Sequence, residues 1–227
     1  MIYKIKNRLL LSSLIILFLI YFILIENPLY SNLINSILGG LEFCSFFDRI
    51  KFFLPIILLL IITSDYLSYM LGKDSSIMVT RFESRRKLVI NIFRDLSFSV
   101  FIFWIIIISL SVVLGIYFKN NIRDIFNINF LIVLITGYLF YNMIAMLQMF
   151  FSIFLDTNIS FIIIAIITVM STLVTNDFIK YALLIPIGMG INNNHLVIGI
   201  FRTILLIFIS ISVAIIINKK IERLDIG

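Results

Sequence analysis

Long apolar runs separated by short polar segments dominate this chain of 227 residues. A helix needs roughly 20 apolar residues to cross about 30 Å of hydrocarbon, and the chain offers six candidate segments. They cover residues 9–25, 52–71, 97–118, 130–155, 159–174 and 196–217. The pattern predicts an all-α polytopic membrane protein with six transmembrane helices, in which residues 1–227 form a single transmembrane domain.

Composition supports this prediction, because 62% of the residues are hydrophobic and only 13% are charged. A soluble domain of this size has about a quarter of its residues charged. So little polar surface cannot cover so large a core, which excludes a water-soluble enzyme as well as a disordered chain. Cys44 is the only cysteine, so an internal disulfide is impossible.

The basic residues predict the orientation of the spans. With the N-terminus inside, 12 of the 18 lysines and arginines fall in cytoplasmic segments, five fall outside, and Arg202 lies within the sixth span. Positive charge concentrates on the cytoplasmic side of membrane proteins, so both termini are predicted to be cytoplasmic. The net charge of +6 is therefore a topology signal that favours contact with anionic membrane lipid. It predicts no nucleic-acid partner.

The segment between the fifth and sixth predicted spans is irregular. Its apolar run is too short to cross, and Pro186, Gly188 and Gly190 interrupt it. A seventh span here would place the basic C-terminal segment outside. The pattern favours a re-entrant outer element, since broken backbone at membrane depth needs cover from protein or water. The alternative is an apolar loop that lies on the lipid headgroups.

The predicted cytoplasmic loop between spans two and three combines positive charge with apolar side chains. Ser75 or Ser76 can cap a short helix, and the apolar residues beside arginines suit a protein groove. Ser84 can cap a second helix with one apolar face, predicted to lie along the inner interface before the chain turns into span three. On charge alone, a loop that lies on lipid is the simpler interpretation of this segment.

This loop, which reads SSIMVTRFESRRKLVINIF from Ser75 to Phe93, resembles that of permease subunits of ABC-2-type transporters. The most similar members are small six-span permeases of bacteriocin self-immunity and amphipathic-peptide export systems. The resemblance implies a coupling helix that docks into a cytoplasmic ATPase, followed by the pair Ser84-Arg85. The implied docking residues are Ser76, Ile77, Met78, Val79, Thr80, Arg81, Phe82 and Arg85.

The resemblance also implies partners, cofactors and a location. A dimer of ABC ATPase subunits would bind the loop, and a second permease chain would complete a homodimer or heterodimer. ATP and magnesium would bind the ATPase, and no cofactor would bind this chain. The expected location is a bacterial cytoplasmic membrane, and the expected cargo is an amphipathic or antimicrobial peptide.

The chain itself shows no constellation of catalytic residues. The phosphate-binding motif G-x-x-x-x-G-K-[ST] is absent, so any ATP hydrolysis belongs to another chain. His195 is the only histidine, which excludes a histidine-based metal site. No two carboxylates share a membrane depth at which they would support hydrolysis. We therefore expect neither enzyme activity nor a metal site.

Polar residues within the spans are candidates for function, because they are costly in lipid. Asp65 in span two is expected to pair with Arg81 or Arg85, or else to reach the inner interface. Arg202 lies near the outer end of span six and could attract carboxylates on a peptide. Span four carries a polar stripe that either packs against helices or lines a transport path. Its members are Tyr138, Tyr141, Asn142, Ala145, Gln148 and Ser152.

Two other functions stay open from the sequence. The chain could be the substrate-binding membrane module of an importer, although its first span lacks the alanines with which such modules pack. It could also be a structural or regulatory membrane protein without cargo. Retention of an ATPase by the purified protein separates the transporter from both.

Overall fold

The computed structural model describes residues 46–71, 84–117, 128–173 and 204–217. This part of the chain is entirely helical apart from short connections and contains five helices, here named α1 to α5 in chain order. They are α1 (Phe46–Leu71), α2 (Arg85–Tyr117), α3 (Ile128–Phe154), α4 (Thr157–Leu173) and α5 (Ile204–Ile217).

The five helices lie where the hydropathy pattern places spans two to six. α1 to α4 contain nearly all of the second to fifth predicted spans, and α5 contains the last 14 residues of the sixth. Two of them, over Arg86–Ser109 and Leu134–Phe154, are long and apolar enough to cross a membrane by length and composition. The first predicted span and the outer element lie outside the described residues.

α3 is the central helix of the bundle, and it packs against α1, α2 and α4. Two clusters of buried apolar side chains lie at different levels along its axis. The large core includes Ile56, Leu60, Phe103, Trp104, Tyr141, Ile144, Ile164 and Leu206. The small core includes Tyr66, Leu67, Met70, Leu88, Ile92, Leu96, Met149 and Ile217.

The order of these core residues along the chain gives the direction of each helix. α1, α3 and α5 run from the large core towards the small core, whereas α2 runs the opposite way. α4 follows α3 after a two-residue connection and turns back along it, with Ser160 beside Ser152 and Ile164 in the large core. The described helices therefore alternate in direction, as the predicted order of spans requires.

α2 differs from the expectation of two elements joined by a turn. It is one continuous helix of 33 residues, about 50 Å long at 1.5 Å per residue. The predicted apolar face is present, since Leu88, Val89, Ile92 and Leu96 are buried. That face packs in the small core with residues of α1, α3 and α5. Because the face is buried within the bundle, α2 continues without a turn into the predicted third span.

Ser84 caps α2, as the sequence predicts. Its Oγ accepts a hydrogen bond from the backbone N–H of Lys87 at 3.2 Å, and its carbonyl accepts from Leu88 N–H at 3.1 Å. This satisfies amide donors that have no partner within the first helical turn.

We expect Ser84→Ala to lower the free energy of unfolding by about 1 kcal/mol, because the amide loses its side-chain acceptor. Amide hydrogen exchange in the first turn of α2 should accelerate, while exchange near Trp104 stays slow. Ser84→Asp restores an acceptor and is the matched control. Equal exchange rates in the alanine and aspartate variants would contradict the cap.

Candidate functional site

The polar stripe of span four lies on the buried side of α3. Tyr141, Asn142, Gln148 and Ser152 all have less than a tenth of their surface exposed, and Tyr138 is half-buried. In this conformation the stripe packs between helices, the first of the two arrangements expected from the sequence. Three of its members, Asn142, Gln148 and Ser152, contact polar groups on neighbouring helices.

Gln148 joins α3 to α1 in the middle of the bundle and is completely buried. Its Nε2 donates to the carbonyl oxygen of Leu60 at 3.0 Å, and its Oε1 accepts from the hydroxyl of Thr63. The same hydroxyl lies 2.9 Å from the carbonyl oxygen of Leu59. Because a hydroxyl carries one proton, Thr63 can alternate between its own helix and α3.

Two further polar contacts extend from α3 to its other neighbours. Ser97 Oγ on α2 donates to Asn142 Oδ1 at 3.1 Å, and the hydroxyls of Ser152 and Ser160 are 2.8 Å apart across α3 and α4. Hydrogen bonds of this kind hold apolar helices in a fixed register. With the Gln148 contacts, they connect α3 through side chains to each of the three helices around it.

An aromatic group fixes α2 against α3 at the level of the large core. Trp104 donates from Nε1 to the carbonyl oxygen of Leu134 at 2.9 Å, and its ring lies 5.3 Å from that of Tyr141. The ring also lies directly over Gly137, where a Cβ atom would come within 2.1 Å of Trp104 Cζ2. Only glycine allows this approach between the two helices.

The small-core end of the bundle carries most of the charged residues of the described helices. Tyr66 on α1 donates from its hydroxyl to Asp95 Oδ2 on α2 at 3.1 Å, and Asp95 Oδ1 lies 3.6 Å from Arg94 Nε. This bond sets Asp65, the residue before Tyr66, close to the level of Asp95. Asp65 is thus near the boundary that the sequence predicts for the third span.

Asp65 is exposed, and Ser68 Oγ donates to its carbonyl oxygen at 2.9 Å. Of its two expected partners, Arg81 lies outside the described residues. Arg85 begins α2 ten residues before Asp95, or about 15 Å farther along the axis. The pairing of Asp65 with Arg81 or Arg85 stays a prediction.

Several expected site residues lie outside the described part of the chain. They are Ser76 to Phe82 of the loop, Pro186, Gly188 and Gly190 of the outer element, and Arg202. Arg85 is described only as the first residue of α2. Among the described residues, no group of three or more histidines, cysteines or carboxylates is placed to hold a metal ion.

Sequence reasoning missed three of the residues that fix the helices. Thr63 and Trp104 lie in apolar runs, and the pattern does not show which helix they face. Asp95 lies opposite the apolar face of α2, where the pattern does not show that Tyr66 is its partner. The available signal is the isolated polar residue in each apolar run, because such residues pair across helices in membranes.

Comparison with known proteins finds no matching family model, no matching curated protein and no matching solved structure. The described part of the chain by itself defines the class: a helical bundle whose central helix carries a buried polar stripe, and in which two helices are long and apolar enough to cross a membrane by length and composition.

Proposed function

We propose that the chain is a transmembrane permease subunit of an ABC transporter in a bacterial cytoplasmic membrane. It pairs with a second permease chain and works with a separate dimer of ATPase subunits. Its cargo is an amphipathic or antimicrobial peptide, and the direction is export. The class of cargo rests on the resemblance of the loop and of the six-span pattern to small ABC-2-type permeases.

The outward faces of the bundle support a location in the membrane. Large apolar side chains are exposed on all five described helices, and soluble monomers rarely expose apolar patches of more than a few hundred Å². Lipid is the environment in which such faces carry no penalty. Examples are Ile61 on α1, Phe98 on α2, Ile135 on α3, Ile166 on α4 and Phe208 on α5.

The ends of α1 and α2 support the proposed role of the loop. Leu71 ends α1 and Ser84 precedes α2 at the small-core end of the bundle. The 12 residues between them contain the proposed docking residues from Ser76 to Phe82. Ile217, at the end of α5, is in the small core as well. The basic C-terminal segment therefore starts at the same end of the bundle, as the positive-inside rule requires.

The observation that carries the proposal is the continuity of α2. A capped helix without a break starts directly after the loop and reaches the large core, where Trp104 holds it against α3. A movement of the loop is therefore transmitted to the centre of the bundle instead of being lost at a hinge. ATP binding that favours one position of the loop would shift the bundle between conformations.

The test is retention of an ATPase by the purified chain. We expect the wild-type protein, isolated from native membranes, to retain a protein with the motif G-x-x-x-x-G-K-[ST]. The double variant Arg81→Glu/Phe82→Ala should lose it, because it reverses a charge and removes an apolar contact in the loop. Mass spectrometry and ATP hydrolysis by the purified complex are the measurements.

The matched control is Arg223→Glu/Leu224→Ala, which makes the same kinds of change in another basic segment of the same predicted face. It should retain the ATPase. Failure of the wild type to retain any ATPase, or equal loss in the two double variants, would contradict the proposed docking loop.

A further inference from the structure

The polar contact between α1 and α3 contains fewer protons than acceptors. The hydroxyl of Thr63 lies 2.9 Å from the carbonyl oxygen of Leu59 and 3.2 Å from that of Leu60. It also contacts Oε1 of Gln148. Because a hydroxyl donates one proton, Thr63 bonds either to its own helix or to Gln148. When it bonds to Leu59, α1 satisfies this hydroxyl without any group from α3.

A second group of hydroxyls, between α3 and α4, is also short of a proton. Ser152 Oγ donates to the carbonyl oxygen of Gln148, and Ser160 Oγ donates to that of Thr157, both at 2.7 Å. The two hydroxyl oxygens lie 2.8 Å apart, although both protons already point at carbonyl oxygens. The oxygen of Ser152 therefore has a lone pair that can accept a hydrogen bond.

Gln148 lies between these two groups, one helical turn before Ser152. Its Nε2 donates to the carbonyl oxygen of Leu60 at 3.0 Å. That carbonyl oxygen also accepts the backbone N–H of Ser64 within α1, so it keeps a partner when Gln148 leaves. A glutamine amide can bond to a polar side chain one turn away on its own helix. Rotation of the Gln148 side chain therefore moves its donor from Leu60 to Ser152.

The contact thus has two arrangements. In the first, Thr63 and Gln148 bond to each other across α1 and α3. In the second, Thr63 bonds to Leu59 and Gln148 bonds to Ser152, so that neither helix depends on the other. Each arrangement gives both donors an acceptor, and the change between them avoids the penalty of a buried donor without a partner.

The contact between α2 and α3 offers no such exchange. Trp104 has a single N–H, which donates to the carbonyl oxygen of Leu134 at 2.9 Å, and the indole nitrogen accepts no hydrogen bond. The ring lies directly over Gly137. A shift of α2 along α3 would break this bond and press the ring against the α3 backbone. α2 and α3 therefore form one unit, against which the contacts of α1 can change.

We propose that Thr63 and Gln148 form a two-state switch, which joins or separates α1 and α3 while α2 and α3 stay together. The exchange needs neither an ATPase nor a cargo, so it goes beyond the proposed transport function. Movements of packed helices occur in microseconds to milliseconds. A ligand or partner that fits one arrangement better would shift the population towards it.

The chain carries its own reporters for the two contacts, because Gln148 is the only glutamine and Trp104 the only tryptophan. The intact chain is labelled with a nitrogen isotope at the glutamine side-chain amide and the tryptophan indole, and is placed in lipid nanodiscs without an ATPase. Nuclear magnetic resonance relaxation dispersion then follows one signal group for each contact. We expect dispersion for the Gln148 amide and none for the Trp104 indole.

Two substitutions hold the switch in opposite arrangements. Thr63→Val keeps the shape of the side chain and removes the donor to Gln148, whereas Ser152→Ala removes the acceptor on α3. Each should abolish the dispersion, and the two should move the Gln148 amide signal in opposite directions from its wild-type position. Thr168→Val makes the same change in a buried threonine of α4. It is the matched control and should leave the Gln148 signal unchanged.

Absence of dispersion for Gln148 in the wild type would overturn the switch. So would equal dispersion for Gln148 and Trp104, because the whole bundle would then be moving, or displacement of the amide signal in the same direction by Thr63→Val and Ser152→Ala. The wild-type comparison is decisive even if a variant does not fold. Because no ATPase is present, failure of the switch and failure of the proposed docking loop give different results.

Discussion

Gly137→Ala is expected to destabilise the protein, although an exposed helix gains about 1 kcal/mol from the same change. The new Cβ would lie 2.1 Å from Cζ2 and 2.4 Å from Cη2 of Trp104. The indole ring is rigid and is held by its hydrogen bond to Leu134, so α2 and α3 must move apart. Overpacking of this kind costs about 1–3 kcal/mol, and separation of the helices also weakens the contacts of Tyr141.

Thermal unfolding in detergent, followed by circular dichroism, measures this loss. Trp104→Leu tests whether the indole ring causes this loss of stability. It removes the ring, together with the hydrogen bond to the carbonyl oxygen of Leu134. Gly137→Ala should cost much less in the Trp104→Leu background than in the wild type, a coupling that identifies the ring as the obstacle. A stabilising effect of Gly137→Ala would show that helix propensity governs this position and that the helices are not in close contact.

Gln148→Glu is expected to be the most destabilising of the conservative substitutions at the centre of the bundle. The carboxylate cannot donate a hydrogen bond to the carbonyl oxygen of Leu60. One carboxylate oxygen would instead lie beside that carbonyl oxygen, and the two oxygen atoms repel each other. The side chain is completely buried, and no cation lies among the described residues that contact it. An unpaired buried charge costs about 3–5 kcal/mol.

Gln148→Met separates this electrostatic effect from packing, because it keeps the length of the side chain and loses only the hydrogen bonds. We expect it to cost about 0.6 kcal/mol, the average for such bonds between membrane helices. Asn158→Glu adds a carboxylate at an exposed position of α4 and should change stability little. Equal unfolding temperatures for Gln148→Glu and Gln148→Met would mean that the glutamate side chain is protonated or reaches water or a cation.

The sequence predicts the existence and order of the helices well, because each described helix is built around one long apolar run. It predicts their ends less well. Hydropathy marks where lipid contact stops, whereas a helix continues as long as its backbone is satisfied. Thus α2 begins at Arg85, well before the apolar run that starts at Ser97, and α1 begins six residues before Phe52.

The contacts between helices were only partly predictable. The spacing of Tyr141, Asn142 and Gln148 correctly places them on one buried face, because a polar stripe on an apolar helix avoids lipid. Which neighbour each side chain meets depends on the rotation and register of two helices that are apolar nearly all round. For that reason neither the partnership of Gln148 with Thr63 nor the contact of Trp104 with Gly137 follows from the pattern.

The proposed topology has six membrane crossings, with the loop around Met78 on the cytoplasmic side. Its direct test is chemical labelling of single cysteines in a Cys44→Ser background, which removes the only native thiol. Met78→Cys and Lys119→Cys place thiols in loops predicted on opposite sides. A membrane-impermeant maleimide is applied to sealed right-side-out and inside-out vesicles.

We expect Met78→Cys to be labelled only in inside-out vesicles and Lys119→Cys only in right-side-out vesicles. Both variants should react fully once detergent opens the membrane. Labelling of Met78→Cys from the exterior, or protection of this thiol in both kinds of vesicle and in detergent, would show that the proposed topology is wrong.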